Sequence, residues 1–322
     1  MRIALVSDMS LPTPHPSGHG MGYINSLIAE GLHARGHDVT LFAARGSHFS
    51  GRLVTVDGSG YGDEPRLAKA VCHLHKQHPF DAICDGGHIH MLSAMFPDLP
   101  VINVFHDNYQ NYQRCAILLS EGQRAMMPPI FANARVIHNA IDARTIQPTH
   151  TPGSYALFLG AISDLKQPLL AIEACAKFGI PLILAGMTVN NFGLALTKMN
   201  NARYIGPVYG AAKWDLLRGA RFLLQLSGVE SFGLTTLEAL LCGTPVVALP
   251  GGGSVDLVAY GVGGILVQPS GNTVGAVVDA MHAAYYLDRS KVRQSGERFG
   301  DVDAMIDQYE TALKDVAMGE NW

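Results

Sequence analysis

The length, composition and charge of the chain exclude several classes of protein. The chain has 322 residues, of which 48% are hydrophobic and 16% charged, and its formal net charge is −4. This length fits two domains, and the charged fraction is too low for a disordered or coiled-coil chain. The apolar runs are far shorter than the ~20 residues of a transmembrane helix. The chain begins with a strand-like segment rather than a signal peptide, so a cytoplasmic, non-secreted protein is expected.

Charge, cysteine and histidine patterns exclude further kinds of site. Residues 1–145 carry 11 Lys and Arg against 12 Asp and Glu, and the remainder carries 12 against 15. Neither half is basic, so bulk charge predicts no nucleic-acid partner and at most peripheral membrane contact. The five cysteines are scattered without a C-x-x-C pair, which is typical of a reducing compartment. The 14 histidines match no metal signature, and His88 and His90 are expected in a solvated loop.

In the first half of the chain, short apolar runs alternate with amphipathic segments. The runs predict strands at 2–7, 38–43, 81–84, 101–105, 116–120 and 135–138. The amphipathic segments predict helices at 23–35, 65–77 and 121–127.

After a polar stretch at 139–154, the same alternation starts again. It predicts strands at 156–159, 181–185, 202–205, 222–226, 245–249 and 264–267, and helices at 167–177, 211–218, 233–241 and 273–287. Continuous apolar strands that alternate with helices indicate parallel sheets covered on both faces. The sequence therefore predicts an α/β protein with two doubly wound, Rossmann-like domains. Ligands of such sheets bind at the carboxyl ends of the strands, here by default in a central cleft between the domains.

The first strand-to-helix loop, at 9–23, is a candidate phosphate site. Gly18, Gly20 and Gly22 would let backbone N–H groups approach a phosphate closely at a helix N-terminus. Their spacing is not the G-x-G-x-x-G of dinucleotide sites, so a turn that only connects two elements is about equally expected.

The segment Val229–Val247 carries the strongest candidate chemistry. It reads V-E-S-F-G-L-T-T-L-E-A-L-L-C-G-T-P-V-V, and Gly233 predicts that Glu230 lies in a loop and Glu238 in the helix that follows. The N–H groups of Phe232, Gly233 and Leu234 would then face the same pocket as an anion site. The alternative is that Glu238 lies on a helix surface and Glu230 is an acidic residue at a helix start, which explains the glycine and the strand end less well.

This segment resembles the E-x-F-G-L-x-x-x-E-A signature of glycosyltransferase family 4, the retaining group 1 glycosyltransferases of GT-B fold. Segments at 32–39, 136–148, 157–174 and 263–269 resemble other segments of that family in the same order. The resemblance implies an acceptor-side domain at 1–145 and a nucleotide-sugar-binding domain at 146–298. It also implies a C-terminal helix, at 299–322, that crosses back to the first domain.

The resemblance implies roles for four side chains. Glu238 falls on the glutamate that holds the ribose hydroxyls, and Glu230 falls on the one that contacts the donor sugar. Lys166 falls on the lysine that neutralises the diphosphate leaving group. His106 falls on the histidine that approaches the donor sugar at its reacting carbon.

The resemblance also implies which positions contact the phosphates and the base. Gly20 falls on the second glycine of the family's N-terminal phosphate loop, and His19 replaces the usual glycine beside it. Val208 lies where backbone groups usually hold the base. The N–H groups of Gly233 and Leu234 are expected to meet the sugar or a phosphate.

The implied activity is retaining transfer of a hexose from a UDP-, GDP- or ADP-sugar to an acceptor hydroxyl, in polysaccharide or glycoconjugate synthesis. Because the donor arrives activated, lysine and backbone N–H groups are expected to supply the positive charge, with no metal or other cofactor. Ala161 stands where the family has an arginine that shares the phosphate charge, and His19 is a candidate replacement. Two alternatives remain open: a non-catalytic nucleotide-sugar-binding subunit of GT-B fold, and a GT-B epimerase.

Overall fold

The structure is a computed structural model, and it describes residues 1–15, 20–58, 60–108, 113–189, 201–259, 262–268 and 270–322. The chain divides into two compact units. The first unit contains Met1–Ala140 and Val302–Trp322, and the second contains Ile141–Asp301.

The first unit is built on a parallel sheet whose described strands number seven, in the order β3-β2-β1-β4-β5-β6-β7. The strands are β1 Arg2–Val6, β2 Asp38–Ala44, β3 Arg52–Val56, β4 Ala82–Asp85, β5 Val101–Val104, β6 Ala116–Leu118 and β7 Arg135–Val136. The central strands are buried on both faces because helices cover the sheet, and Ile3, Leu5 and Ile83 are fully buried. The strand order reverses between β1 and β4, which is where a sheet of this kind opens a crevice at its carboxyl edge.

The helices of the first unit include one from the end of the chain. They are α1 Gly20–Ala34, α2 Glu64–Gln77, α3 Met91–Met95, α4 Glu121–Met126 and α11 Val302–Ala317. Helix α11 packs against α1, β4 and β5, and Trp322 beyond it donates its indole N–H to the carbonyl of Ala116. The C-terminal segment is therefore part of the first unit's core.

The second unit repeats the same topology with an independent sequence. Its described strands follow the order β10-β9-β8-β11-β12-β13 and pair in parallel. They are β8 Tyr155–Leu159, β9 Leu182–Ala185, β10 Ala202–Tyr204, β11 Ala220–Gln225, β12 Val246–Ala248 and β13 Gly264–Leu266. Its helices are α5 Pro168–Phe178, α6 Gly210–Gly219, α7 Leu234–Leu241, α8 Gly253–Ala259, α9 Thr273–Ala284 and α10 Arg289–Glu297. The predicted α/β class with two doubly wound domains is confirmed.

Several element ends differ from the predicted ones for local reasons. The strand predicted to reach residue 120 ends at Leu118, because the Ser120 side chain caps α4 by accepting the N–H of Gln123 at 2.8 Å. Residues 141–145 and 299–301 lie with the second unit, whereas the sequence assigned them to the first domain and to the C-terminal helix. The N–H groups of Ile141 and Ala143 donate to the carbonyls of Phe299 and Gly300, which holds the two segments side by side.

Candidate functional site

A lysine and a glutamate meet at the carboxyl edge of the second sheet. Lys166 ends a short helical turn after β8, and its Nζ lies 2.6 Å from Oε2 of Glu230, in the loop after β11. The Nε2 amide of Gln225, the last residue of β11, donates to the same oxygen at 2.8 Å. Both charged side chains are only partly exposed. The Glu230 carboxylate therefore stays oriented by Gln225 if Lys166 turns to another anion.

The start of α7 presents uncapped backbone N–H groups beside this pair. Gly233 precedes the helix at φ +100°, a left-handed conformation that favours glycine, and its own side chain offers no cap; among the described residues, no side chain caps the first turn. A Cβ atom on Gly233 would lie 3.4 Å from Cγ of Glu230, so the glutamate side chain lies next to the helix N-terminus. Unsatisfied N–H groups and the helix dipole favour an anion here. Leu234, the first residue of the helix, is partly exposed.

The glycines at the start of α8, Gly252 and Gly253, pack against the backbone of the Glu230 loop. Gly253 donates its N–H to the Glu230 carbonyl at 2.8 Å. A Cβ atom on Gly252 would lie 1.7 Å from that carbonyl oxygen, and one on Gly253 would lie 2.0 Å from the carbonyl oxygen of Phe232. Only glycine allows two backbone segments to approach so closely. The Phe232 ring is buried and packs edge-on against Phe299, which fixes the loop from the other side.

Glu238 lies on α7 and has a lysine partner that the sequence did not predict. Nζ of Lys213, on α6, lies 2.5 Å from Oε1 of Glu238. Burial raises the pKa of Glu238 above its ordinary value, although the charge and hydrogen bond of Lys213 oppose the shift. Val208, partly buried, lies in the segment that leads from β10 into α6. Lys213 and Glu238 belong to separate elements, so no motif spacing could have indicated their contact.

The position of the missing arginine is open to solvent. Ala161 follows β8 and is exposed, five residues before Lys166 in the chain. Its methyl group carries neither charge nor hydrogen-bond donor, so the side chain at this position supplies nothing to a phosphate.

The carboxyl edge of the first sheet carries a separate group of polar side chains. His106 follows β5 and is partly buried. Beside it in the chain, Asp107 accepts from Nδ1 of His88 at 3.1 Å. Burial opposes the protonated form of His88, but Asp107, Asp8 and Glu64 raise its pKa above the ordinary value. The structure corrects the expectation of a solvated loop: His88 is largely buried by this pairing, and His90 is 1% exposed.

Two buried carboxyl groups lie under the His88 loop. Glu64 starts α2 and accepts the N–H groups of His88 and Ile89 at 2.7 and 3.0 Å, while Asp85 ends β4 and accepts the N–H of Gly87 at 3.0 Å. Burial and the charge of Asp85 raise the pKa of Glu64 to about 7, and burial raises that of Asp85 to about 6. These groups change charge near neutral pH. Sequence reasoning missed them, although Asp85 directly follows a predicted strand.

The predicted phosphate loop of the first unit is only partly described. Gly20 is the first residue of α1 and is partly buried, whereas Gly18 and His19 lie outside the described residues.

The described residues contain no group of three His, Cys, Asp or Glu side chains arranged to hold a metal ion. Over the same ranges, no helix combines the length and apolarity that a bilayer crossing requires. All five cysteines are free thiols.

The sequence is similar to known proteins over about half of its length. Residues 142–296 match the family model of glycosyl transferases group 1. The D-inositol 3-phosphate glycosyltransferase of Mycolicibacterium smegmatis is 31% identical over 194 residues, which cover 54% of this chain and 44% of that protein. The enzyme of the same name from Geodermatophilus obscurus is 30% identical over 184 residues, which cover 50% and 41%. The chain thus spans less than half the length of these curated relatives.

The fold is similar to solved structures over its full length. Sucrose-phosphate synthase from Thermosynechococcus elongatus has a TM-score of 0.81 at 16% identity, covering 99% of this chain and 100% of that one. AviGT4, a glycosyltransferase involved in avilamycin A biosynthesis, has a TM-score of 0.75 at 21% identity, covering 100% and 99%. Anabaena HepE in complex with UDP-glucose has a TM-score of 0.75 at 17% identity, covering 98% and 100%. These likenesses show that the chain shares the fold of these proteins.

Proposed function

Because residues 142–296 match the family model of glycosyl transferases group 1, we propose that this protein transfers a hexose from a nucleotide-diphosphate sugar to an acceptor hydroxyl. The observation that carries the proposal is the pair of motif glutamates at one edge of the second sheet, each held by a lysine from another element. One pair lies beside an uncapped helix N-terminus. This arrangement combines acceptors for sugar and ribose hydroxyls with positive charge for a diphosphate.

In the proposed reaction, Lys166 and the first N–H groups of α7 stabilise the departing diphosphate. The bond between the anomeric carbon and the phosphate oxygen breaks, and a bond to the acceptor oxygen forms on the same face, so the configuration is retained. The acceptor's proton leaves with the diphosphate. Glu230, held by Gln225, accepts hydrogen bonds from hydroxyls of the donor sugar while Lys166 turns to the phosphates. No metal is assigned a role, because these groups supply the positive charge.

The nucleotide end of the donor is proposed to lie against α6 and α7. Glu238 accepts hydrogen bonds from the ribose hydroxyls, and backbone groups near Val208 contact the base. Solved structures of Anabaena HepE contain UDP and UDP-glucose, which supports UDP as the first nucleotide to test. GDP and ADP are the next.

The first domain is proposed to bind the acceptor, a carbohydrate or glycoconjugate, and to present His106 to the donor sugar. Its carboxyl edge offers Asp107, whose side chain is 44% exposed, as a hydrogen-bond acceptor for hydroxyl groups. Gly20 starts α1, where backbone N–H groups face a phosphate in the proposed complex. The free thiols fit a reducing cytoplasm, which is the proposed location.

The exposed Ala161 favours one second candidate, a subunit that binds a nucleotide-sugar without turnover, because one cation of the phosphate site is missing.

Three measurements separate the candidates. A thermal-shift panel of UDP-, GDP- and ADP-sugars finds the donor, and nucleotide release reports its turnover. Analysis of the recovered donor sugar reports epimerisation. Binding with release of nucleotide and an unaltered donor sugar supports the transferase, and the anomeric configuration of the product, read by NMR, tests retention. Binding without release supports the non-catalytic subunit, and absence of binding contradicts both.

A further inference from the structure

We propose that Lys213 is a positioning residue of the nucleotide site: it holds Glu238 as an oriented carboxylate that accepts both ribose hydroxyls. This inference rests on the proposed function, since it assigns a task to a residue outside the glutamate motif. Lys213 itself is not proposed to touch the substrate.

The geometry of the pair is that of a fixed contact rather than a loose surface ion pair. Lys213 and Glu238 lie on different helices, with 2.5 Å between Nζ and Oε1, and their side chains are 17% and 13% exposed. The ammonium also lies 4.7 Å from the ring centroid of Trp214, which limits its freedom further. Little water reaches the pair, so salt screens it less than an exposed pair.

The charge of Glu238 depends on this contact. Burial raises its pKa, and Lys213 opposes that rise through its charge and its hydrogen bond. Other charged groups stand on the elements that pack against α7: Asp215 and Arg218 on α6, Arg221 on β11, Asp256 on α8, and Arg289, Lys291, Arg293 and Glu297 on α10. Within the described residues, none of these shifts the pKa of Glu238. Arg289 and Arg293 donate instead to backbone carbonyls.

The protonation state decides what Glu238 is able to bind. A carboxylate accepts from two neighbouring hydroxyls at once, whereas a carboxylic acid presents one O–H donor and loses one acceptor. Without Lys213, burial is unopposed and the carboxyl protonates at a higher pH. Nucleotide affinity would then fall as the pH falls through the raised pKa.

This chemistry separates Lys213 from Lys166. The Glu230 carboxylate has a second donor in Gln225, so Lys166 is able to leave it. Glu238 has no second side-chain donor among the described residues, so Lys213 must stay. Lys166 is therefore assigned to the substrate and Lys213 to the protein.

The test measures affinity for UDP, GDP and ADP by calorimetry between pH 6 and 8.5. The variants are Lys213→Met, Lys213→Arg, Glu238→Gln and the double variant, with the exposed Lys177→Met as the matched control. Relative to wild type, Lys213→Met is expected to lose affinity by about tenfold per pH unit below the raised Glu238 pKa. Lys213→Arg and Lys177→Met should follow the wild-type profile, and circular dichroism checks the fold.

The double variant distinguishes positioning from direct contact. If Lys213 acts through Glu238, adding Lys213→Met to Glu238→Gln costs no further affinity. A further loss would place Lys213 on the ligand and overturn the proposal. Identical pH profiles for wild type and Lys213→Met would overturn it as well.

A second experiment needs no ligand, so it tests the coupling of Lys213 to Glu238 independently of the proposed transferase function. Carbon-13 NMR of labelled glutamate carboxyls assigns Glu238 by the signal lost in Glu238→Gln. Its titration midpoint should be higher in Lys213→Met than in wild type, and an unchanged midpoint contradicts the role of Lys213. If wild type binds none of the three nucleotides, the proposed function fails, while the NMR result still decides the coupling.

Discussion

The two domains share one sheet topology but carry different chemistry at their carboxyl edges. In the second domain, both motif glutamates accept from lysines, Glu230 from Lys166 and Glu238 from Lys213. In the first domain, Glu64 instead accepts only backbone N–H groups among the described residues and lies close to a second buried carboxyl, Asp85. The carboxyl edge of the second sheet thus carries lysine–glutamate pairs, whereas that of the first sheet carries carboxyl groups without a lysine partner among the described residues.

The difference shows that a shared sheet topology fixes where a binding site lies, whereas the side chains at that site determine which ligand it binds. Lys166 and the N-terminus of α7 suit a diphosphate. Carboxyl groups suit hydroxyl donors. This is the reason for proposing a nucleotide-sugar at the second edge and a hydroxyl-bearing acceptor at the first.

The largest effect is expected at the second edge, from Lys166→Ala. Removing a preorganised positive group from a departing anion typically lowers kcat by about 100- to 1,000-fold. Nucleotide release from the sugar donor that wild type consumes measures this loss. Lys177→Ala, an exposed lysine on α5, is the control and should keep full activity. Equal rates for Lys166→Ala and wild type would remove Lys166 from the reaction.

At the carboxyl edge of the first sheet, Glu64 is expected to make the stability of the first domain depend on pH. Its folded-state pKa of about 7 lies above the ordinary 4.5, so the folded state binds the proton more tightly. Stability from this group is present below pH 4.5 and is lost as the pH rises to 7, by about 3 kcal/mol. Because Asp85, with a pKa of about 6, adds to the slope at lower pH, Glu64→Gln should flatten it mainly between pH 6 and 8, while Glu121→Gln, exposed on α4, should keep it.

The measurement is denaturant unfolding at pH 4.5 to 8, followed by tryptophan fluorescence. Trp322 belongs to the first unit and Trp214 to the second, so a Trp214→Phe background reports the first domain alone. A Glu64→Gln variant whose stability follows the same pH slope as wild type would contradict the raised pKa.

Glu238→Ala tests the nucleotide end of the second edge. A hydrogen bond to a charged acceptor contributes about 1.5–3 kcal/mol, so affinity for UDP, GDP or ADP should fall by roughly 10- to 150-fold. Glu173→Ala, an exposed glutamate on α5, is the control. Calorimetry measures both, and an unchanged dissociation constant for every nucleotide that wild type binds would remove Glu238 from the site.

A smaller effect is expected from the loop that supports Glu230. A methyl group on Gly253 would lie 2.0 Å from the Phe232 carbonyl oxygen, so Gly253→Ala must displace the Glu230 loop. Such overpacking costs about 1–3 kcal/mol of stability, and turnover should fall with it. Gly271→Ala has open space around it and should change neither. Thermal unfolding and nucleotide release measure the two effects, and equal behaviour of both variants would contradict the tight packing.

Much of the fold was predictable, because the burial of parallel strands and of their covering helices produces recognisable hydrophobic patterns in the sequence. Buried strands are continuously apolar and amphipathic helices follow them, so most elements were placed within a few residues. Strand β3 was missed because it lies at the sheet edge and is only half-buried. Helix α10 was missed because Val292 is its only buried apolar residue, and α8 because three glycines precede or begin it.

The site was predictable only where it is contiguous in sequence. Glu230, Gly233 and Glu238 fall in one loop and helix, so their spacing carried the signal. Lys213 and Gln225 act through contacts between separate elements, and such contacts depend on tertiary packing that no local pattern encodes.

The central claim, that a nucleotide diphosphate binds at the second edge beside α6 and α7, has a direct test in the two tryptophans. Trp214 lies against Lys213, whereas Trp322 lies against Arg135 in the first unit. Nitrogen-15 labelling of the indoles gives one signal per domain, assigned with Trp214→Phe. Titration with UDP, GDP and ADP is expected to shift the Trp214 signal and leave Trp322 in place. A shift of Trp322 alone, or no shift with any of the three nucleotides, would contradict the account.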